Sequence, residues 1–265
     1  MQKNQILNSK LKNQIKSFDK KYFFSLFLKT YNFLRKFNKR KFKIKPVSKK
    51  YGFYISDYLL TNNLLTELCE KYNSDKGGNK NPFFESGNNY SDYYFKLFKE
   101  HRLSYSKIFE CGIGTNNINL ESNMTSEGKP GASLKVWKDF FPNAKIYGAD
   151  IDKKILFSEK RIQTYYVDQF DKSSIQEMWK QINDYDFDLI IDDGAHTFQA
   201  NINLYENSFS KLKINGFYII EDVRLSELKT FYKYFEKNQN LVEFISVNSN
   251  STDGSSNLIV INKIF

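Results

Sequence analysis

Side chains that could do chemistry stand directly after short apolar runs in this sequence. Ile108 and Phe109 lead into Glu110, and two glycines, Gly112 and Gly114, follow with one residue between them. Glycines at this spacing permit a tight turn and let backbone N–H groups approach a ligand that a Cβ would exclude. The stretch predicts a nucleotide-type site at the first strand–helix turn of a doubly wound sheet, although a lone Gly-x-Gly is more often an ordinary turn.

Acidic residues end four of the later apolar runs. They are Asp150 and Asp152, Asp168 with the adjacent Gln169, Asp192 and Asp193, and Glu221 and Asp222. An acid after the second strand suits a ribose diol, because a carboxylate accepts hydrogen bonds from both hydroxyls. Asp150 is the first candidate for that role and Asp152 the second, while Asp168 and Gln169 are candidates for an adenine edge. A helix N-cap is the alternative role for any one of these acids.

The acids at 192–193 and 221–222 follow neighbouring predicted strands, so we expect them to converge. Carboxylates in contact repel one another unless protons or a cation intervene. A hard divalent ion such as Mg²⁺, bound by two or three of them, would remove the repulsion. Three residues after Asp193 comes His196, whose neutral imidazole could take a proton from a hydroxyl acidified by the ion. The alternative for His196 is a helix cap or a packed side chain. His101 ends a predicted helix away from the acids that follow the strands, so we interpret it as structural.

An alternation of strand and helix patterns positions these residues. Strands are predicted at 107–111, 144–149, 163–167, 187–191, 216–220, 242–247 and 258–261, with helical patterns after the first, third, fourth and fifth of them. Alternation that closes in a hairpin predicts an α/β fold, a Rossmann-like doubly wound sheet of seven strands with an antiparallel last strand. Helical patterns at 55–72 and from about 91 to 103 predict an N-terminal helical extension.

Basic charge is concentrated at the N-terminus. Residues 1–50 hold 16 Lys or Arg and one acid, so this segment carries +15 while the whole chain carries +10 and the remainder −5. We expect a basic amphipathic helical arm at 1–50, a helical cap at 51–104 and a catalytic domain at 105–265. Residues 1–45 could contact an anionic membrane surface or dock on a second subunit, and a solvated arm is the simpler alternative.

Several classes of protein are disfavoured. Two cysteines suggest neither a disulfide framework nor a zinc site, and no apolar run is long enough for a membrane span. A cytoplasmic protein is therefore expected, with a peripheral position at the inner membrane face as the alternative. The mildly acidic body shows no basic surface pattern and no nucleic-acid module, so nucleic acid is not an expected partner.

Together these motifs resemble the class I S-adenosylmethionine-dependent methyltransferases. The similarity narrows to the metal-dependent macrolide-sugar O-methyltransferases of the mycinamicin type, over roughly residues 65–225, in the tracts 74–77, 130–137, 147–152, 168–169, 192–196 and 221–222. The Asp-Asp-Gly-Ala-His tract at 192–196 is its most specific part. Thr115 and Asn116 replace a further glycine of the turn, and the 117–131 loop has no counterpart, so the identity of the acceptor does not carry over.

The resemblance implies roles for particular residues. S-adenosylmethionine would be held by Glu110, Gly112, Gly114 and Asp150, with Asp168 and Gln169 near adenine and with Asp75, Lys76, Asp152 and Asp192 as further candidates. Mg²⁺ would be bound by Asp193, Glu221 and Asp222, and His196 would act as the catalytic base beside Asp193.

The expected activity is Mg²⁺-dependent methyl transfer from S-adenosylmethionine to a hydroxyl of a sugar or glycoconjugate precursor, of surface-polysaccharide or natural-product type. The acceptor would be a small molecule or a nucleotide- or lipid-linked sugar, and the enzyme a bacterial homo-oligomer. One alternative is methylation of a phosphorus-linked oxygen or a nitrogen of a capsule precursor. Another is a non-catalytic binding protein with this fold. A nicotinamide-dependent oxidoreductase is disfavoured by the missing third glycine and the closing hairpin.

Overall fold

The computed structural model describes residues 45–48, 53–56, 62–77, 89–120, 122–124, 128–247 and 257–265. Its strands are β1 (Lys45–Ser48), β2 (Phe53–Ser56), β3 (Lys107–Cys111), β4 (Lys145–Asp150), β5 (Ser158–Glu159), β6 (Ile162–Tyr166), β7 (Phe187–Asp192), β8 (Leu212–Ile220), β9 (Leu241–Val247) and β10 (Asn257–Asn262). The helices are α1 (Leu64–Tyr72), α2 (Tyr90–Phe98), α3 (Ala132–Phe140), α4 (Lys172–Ile182), α5 (Phe198–Ser208) and α6 (Leu228–Phe235).

The described strands form one sheet in the order β1-β2-β9-β10-β8-β7-β3-β4-β6-β5. β3 pairs in parallel with both β4 and β7, so the chain winds outward from β3 in two directions. β10 runs antiparallel to both of its neighbours, β8 and β9. The seven strands predicted from the sequence form the centre of this sheet, and the predicted Rossmann-like α/β fold is confirmed. Its topological switch point lies at the carboxyl end of β3, directly before the glycine turn.

Three short strands extend the sheet beyond the predicted seven. β5 pairs with β6 at one edge, while β2 pairs in parallel with β9 and β1 with β2 at the other. The helix predicted to begin at Ile55 instead begins at Leu64, and the residues before it include a strand. The aromatic and β-branched Phe53–Ser56 suits a strand, and β9 gains a partner for its edge. The predicted helical arm also ends in a strand, β1, and residues 1–44 lie outside the described residues.

Helices α1, α2 and α3 cover one face of the sheet next to the switch point. Phe98 on α2 stacks or packs edge-on against Tyr94, Tyr105 and Phe141, and Trp137 on α3 packs against Tyr94. These rings are almost completely buried, as are the two free cysteines. None of the helices in the described ranges is long and apolar enough to cross a membrane. The aromatic core fixes α2 against the sheet, and Tyr90 and Tyr94 on α2 reach Asp222 and Glu221 at the carboxyl end of β8.

Candidate active site

A cavity of about 670 Å³ opens at the carboxyl ends of the central strands, within the size range of small-molecule sites. Ten of the predicted site residues line it: Asp75, Lys76, Gly112, Gly114, Asp150, Asp168, Gln169, Asp193, His196 and Asp222. The other four described candidates, Glu110, Asp152, Asp192 and Glu221, lie behind its wall, and each is at most 9% exposed.

The two glycines of the turn after β3 have different neighbours. Both have φ near +80°, a region that side chains with a Cβ rarely adopt. A Cβ on Gly112 would lie 2.0 Å from the carbonyl oxygen of Asp193, whereas a Cβ on Gly114 would meet the methyl end of Met124 at 2.2 Å. Gly112 therefore lets the chain leaving β7 pass close to the turn, which brings Asp193 to the cavity.

Asp150 is the acid that faces the cavity next to this turn. Its Oδ2 accepts from the N–H of Ile113 at 2.9 Å and its Oδ1 from that of Asp152 at 2.9 Å. Asp152 instead accepts from the Thr115 hydroxyl at 2.6 Å and from a backbone N–H of the following turn. The first candidate for the ribose diol thus lines the cavity, while the second is engaged in tying the turn after β4 to Thr115.

The side chain of Asp192 lies inside the structure and not in the cavity. The strand runs one residue further than predicted, so Asp192 is part of β7 and pairs with β3 and β8. Its carboxylate accepts from Gln169 at 2.7 Å and from Asn201 at 2.9 Å. Gln169 also accepts from the N–H of Ala195 at 2.7 Å, so these two bonds fix its amide and use one of its two donor hydrogens. The predicted cofactor contact of Asp192 stays a prediction, and in this geometry its buried carboxylate supports Gln169.

Lys76 joins three carboxylates that come from different strands. Its Nζ lies 2.7 Å from an oxygen of Asp193, 2.7 Å from one of Glu221 and 3.2 Å from one of Glu110. The second oxygen of Glu221 accepts from the Tyr94 hydroxyl at 2.7 Å. Both oxygens of this predicted metal ligand are thus engaged by the protein itself.

Asp193 also belongs to a second cluster, with His196 and Asp222, in which one ligand atom of each lies within 4.8 Å of the others. His196 and Asp222 both have left-handed backbone conformations, at φ 50° and φ 51°. Such strain costs about 1–3 kcal/mol per residue and is concentrated at functional sites. Nδ1 of His196 is buried and has no hydrogen-bond partner among the described residues, and Asp222 accepts from the Tyr90 hydroxyl at 2.6 Å.

Burial and charge act against each other in these clusters. Burial raises the pKa of Glu110 and Glu221 although Lys76 opposes it, and it raises the pKa of Asp222 to about 6. Burial alone would lower the pKa of Lys76, but Asp193, Glu221 and Glu110 together outweigh it and hold that pKa well above its ordinary value. Because the carboxylates outnumber the nearby cations, a further positive charge would be stabilised here.

Three residues that support the site were not predicted from the sequence. Tyr90 and Tyr94 on α2 donate to Asp222 and Glu221, and Asn201 on α5 donates to Asp192. The only signal for the two tyrosines was their i, i+4 spacing, which puts both on one face of a helix. A polar pair on the core-facing side of an aromatic helix was the feature that could have marked them.

The family described as Methyltransferase domain matches residues 125–258, half of the chain. The chain belongs to this methyltransferase family. The matched region runs from before α3 to the start of β10 and includes Asp150, the His196 tract and Asp222.

Two curated relatives are O-methyltransferases. Over 159 residues the chain is 31% identical to demethylmacrocin O-methyltransferase of Streptomyces fradiae, covering 60% of this chain and 36% of that protein. It is 30% identical to mycinamicin VI 2''-O-methyltransferase of Micromonospora griseorubida over 159 residues, with the same coverage. The aligned part spans little more than a third of these relatives' length.

A solved structure shares the fold. It is the MycE methyltransferase from the mycinamycin biosynthetic pathway in complex with Mg and SAH, with a TM-score of 0.55, 23% identity, and coverage of 77% of this chain and 56% of that one. At this identity the likeness concerns the fold alone.

Proposed function

We propose that the chain is an S-adenosylmethionine-dependent O-methyltransferase that acts on a sugar hydroxyl. The observation that carries this proposal is a single cavity that joins the glycine turn and Asp150 to the Asp193–His196–Asp222 cluster. A cofactor cradle and a group able to remove a hydroxyl proton are what methyl transfer to oxygen requires. The names of the curated relatives, all O-methyltransferases, and the Mg and SAH bound by the solved relative support it.

The residues of the cluster fit a divalent metal ion. Two carboxylates and an excess of negative charge form a donor set of the right chemistry, and the imidazole beside them is left for the acceptor's proton. Asp193 and Asp222 would hold the ion, with Glu221 as the third ligand only if it exchanges its bond to Lys76. When bound, the ion would stabilise negative charge on the acceptor oxygen and lower the pKa of the hydroxyl.

The chain's own groups would carry out the rest. The backbone N–H groups of the glycine turn and the Asp150 carboxylate would orient the cofactor, and Asp150 would accept from a ribose hydroxyl. His196 would remove the acceptor's proton, and the bound cofactor would supply the methyl group. Its Nδ1 is free to accept a proton or to receive a ligand, since the described residues offer it none. Positioning and fixed charges would supply most of the rate.

A negatively charged group on the acceptor is favoured by two cations that line the same cavity. Lys129 and Arg224 are exposed there, and neither forms an ion pair with a described carboxylate. They would suit the phosphate of a nucleotide- or lipid-linked sugar. The same pair would equally favour the alternative, methyl transfer to a phosphorus-linked oxygen or a nitrogen of a capsule precursor. Lys129→Ala with Arg224→Ala should raise KM for a sugar phosphate more than for the uncharged sugar.

Calorimetric titration with S-adenosylhomocysteine, with and without Mg²⁺ and with NADH as control, tests the cofactor. We expect S-adenosylhomocysteine to bind and NADH not to bind. Folded protein that binds neither ligand would favour the non-catalytic binding protein. His196→Ala should abolish turnover and leave S-adenosylhomocysteine affinity unchanged, because His196 is placed on the acceptor side. Loss of cofactor binding in that variant would make His196 a structural residue.

Other parts of the proposal rest on the sequence. We retain residues 105–265 as the catalytic domain, a bacterial cytoplasmic setting, homo-oligomerisation and a tether role for the basic segment. Deleting residues 1–44 should leave soluble turnover unchanged and reduce binding to anionic vesicles. Loss of activity, or vesicle binding equal to that of the full chain, would contradict the tether.

A further inference from the structure

The Lys76 side chain is the most unusual charged group of the site. It is 2% exposed and follows α1, far along the chain from the carboxylates it contacts. Its ammonium lies within hydrogen-bonding distance of Asp193 and Glu221 and within ion-pair distance of Glu110. A lysine so buried needs charge compensation, and here three carboxyl groups surround its ammonium.

The contacts of Lys76 coincide with one of two clusters that could hold a metal. Glu110, Asp193 and Glu221 form the first cluster, and Asp193, His196 and Asp222 form the second. The ammonium contacts each member of the first cluster, whereas its ion pairs among the described residues include neither His196 nor Asp222. Asp193 is shared by the two clusters, so a charge in one is felt in the other.

We propose that Lys76 is a fixed cation that occupies the first cluster, so that a divalent ion enters only the second. Lys76 is a positioning residue: it holds Asp193 and Glu221, which follow β7 and β8, and through Glu110 it ties them to β3. This inference rests on the proposed function only in assuming that the second cluster takes a divalent ion. Its role differs from the cofactor contact expected from the sequence, because all three partners are protein carboxylates.

Replacing Lys76 by an uncharged residue should open the first cluster to a second ion. We expect Lys76→Gln and Lys76→Met to bind one Mn²⁺ per chain more than the unaltered protein, counted by titration with detection of free Mn²⁺ by electron paramagnetic resonance. Their melting temperatures should also rise more on addition of Mn²⁺. Gln keeps hydrogen-bond donors without the charge, so it separates the charge from a structural role. Lys76→Arg keeps the charge and should bind as many ions as the unaltered protein.

Lys71→Met is the matched control, because Lys71 pairs with Asp139 at the surface, 2.8 Å away. It should change neither the Mn²⁺ count nor the metal-induced shift in melting temperature. An unchanged Mn²⁺ count and an unchanged metal-induced shift in both Lys76→Gln and Lys76→Met would overturn the proposal. If Lys76→Met fails to fold without metal, refolding restored by Mn²⁺ supports the proposal and refolding restored only by Glu221→Gln in the same chain overturns it.

The same samples separate this inference from the proposed function. S-adenosylhomocysteine binding reports on the cofactor site and is measured beside the Mn²⁺ count. Absent cofactor binding with one extra Mn²⁺ in Lys76→Gln would remove the methyltransferase proposal and keep Lys76 as the fixed cation. Normal cofactor binding with no extra Mn²⁺ in Lys76→Gln would keep the methyltransferase proposal and remove Lys76 as the fixed cation.

Discussion

Two tyrosine hydroxyls give a clear case at the scale of single residues. Tyr94 donates to Glu221, and Tyr218, equally buried, has no hydrogen-bond partner for its hydroxyl among the described residues. A hydrogen bond to a buried carboxylate stabilises more than one between neutral groups, while an unpaired buried hydroxyl is destabilising.

We predict opposite effects for the two Tyr→Phe changes. Tyr94→Phe should lower the free energy of unfolding by about 1–3 kcal/mol, because it leaves a buried carboxylate oxygen without its donor. Tyr218→Phe should leave stability unchanged or raise it slightly. Urea denaturation of both variants in EDTA measures the difference, and equal effects would show that the Glu221 contact contributes nothing.

The sequence identified acids and glycines well at this scale but not their partners. Tyr94 and Glu221 are 127 positions apart, and Lys76 and Glu221 are 145 apart. Local patterns carry no information on such pairs, because only the packing of α1 and α2 over the sheet brings them together. Asp192 shows a different limit of the sequence, because the end of a strand is set by pairing on both sides. Asp192 lies one residue beyond the predicted end of the strand, pairs with β3 and β8, and has its side chain away from the cavity.

The turn between β3 and α3 is the element on which the cavity depends. Its two glycines share a backbone conformation but differ in what a side chain would meet. At Gly112 the obstacle is the backbone of Asp193, the residue that follows β7. At Gly114 the obstacle is the flexible end of Met124, which can move aside.

The two glycines should therefore respond differently to alanine. The left-handed conformation should destabilise each alanine variant by about 1–2 kcal/mol. Only Gly112→Ala must also displace the backbone of Asp193. We expect Gly112→Ala to lose S-adenosylhomocysteine binding and more than 2 kcal/mol of stability. Gly114→Ala should lose less, and adding Met124→Ala should recover part of it. Calorimetry measures S-adenosylhomocysteine binding and urea denaturation the free energy of unfolding of the three variants. Equal losses in Gly112→Ala and Gly114→Ala would contradict the prediction.

Elements with a strong local pattern were predictable, and elements defined by an edge were not. β3 has the predicted bounds, and the strands that follow it begin or end within a few residues of the predicted ones. Their continuous apolar runs reflect burial on both faces. β1 and β2 are only four residues long each. Phe53–Ser56 pairs with the open edge of β9, and that edge exists only once β9 and β10 have formed the closing hairpin.

At the scale of the whole molecule, the described body concentrates buried negative charge at one end of its sheet. Burial raises the pKa of Asp192 and Asp222 to about 6, against an ordinary value of 3.8. Between these values the folded protein holds more protons than the unfolded chain. The free energy of unfolding must then fall as the pH rises through about 6, the opposite of the usual behaviour of paired surface acids.

We predict that the ion-free protein is more stable at pH 5.5 than at pH 7.5. Two such groups together account for about 1–2 kcal/mol over that interval, or a few degrees in melting temperature. Thermal unfolding in EDTA measures the slope, and Asp222→Asn, which removes one of the two groups, should reduce it by about half. Mg²⁺ should raise the melting temperature chiefly at pH 7.5, where Asp222 is ionised, and should have little effect on the Asp222→Asn variant. A melting temperature that is level or rises from pH 5.5 to 7.5 in EDTA would mean that the buried acids are compensated within the protein and need no further cation.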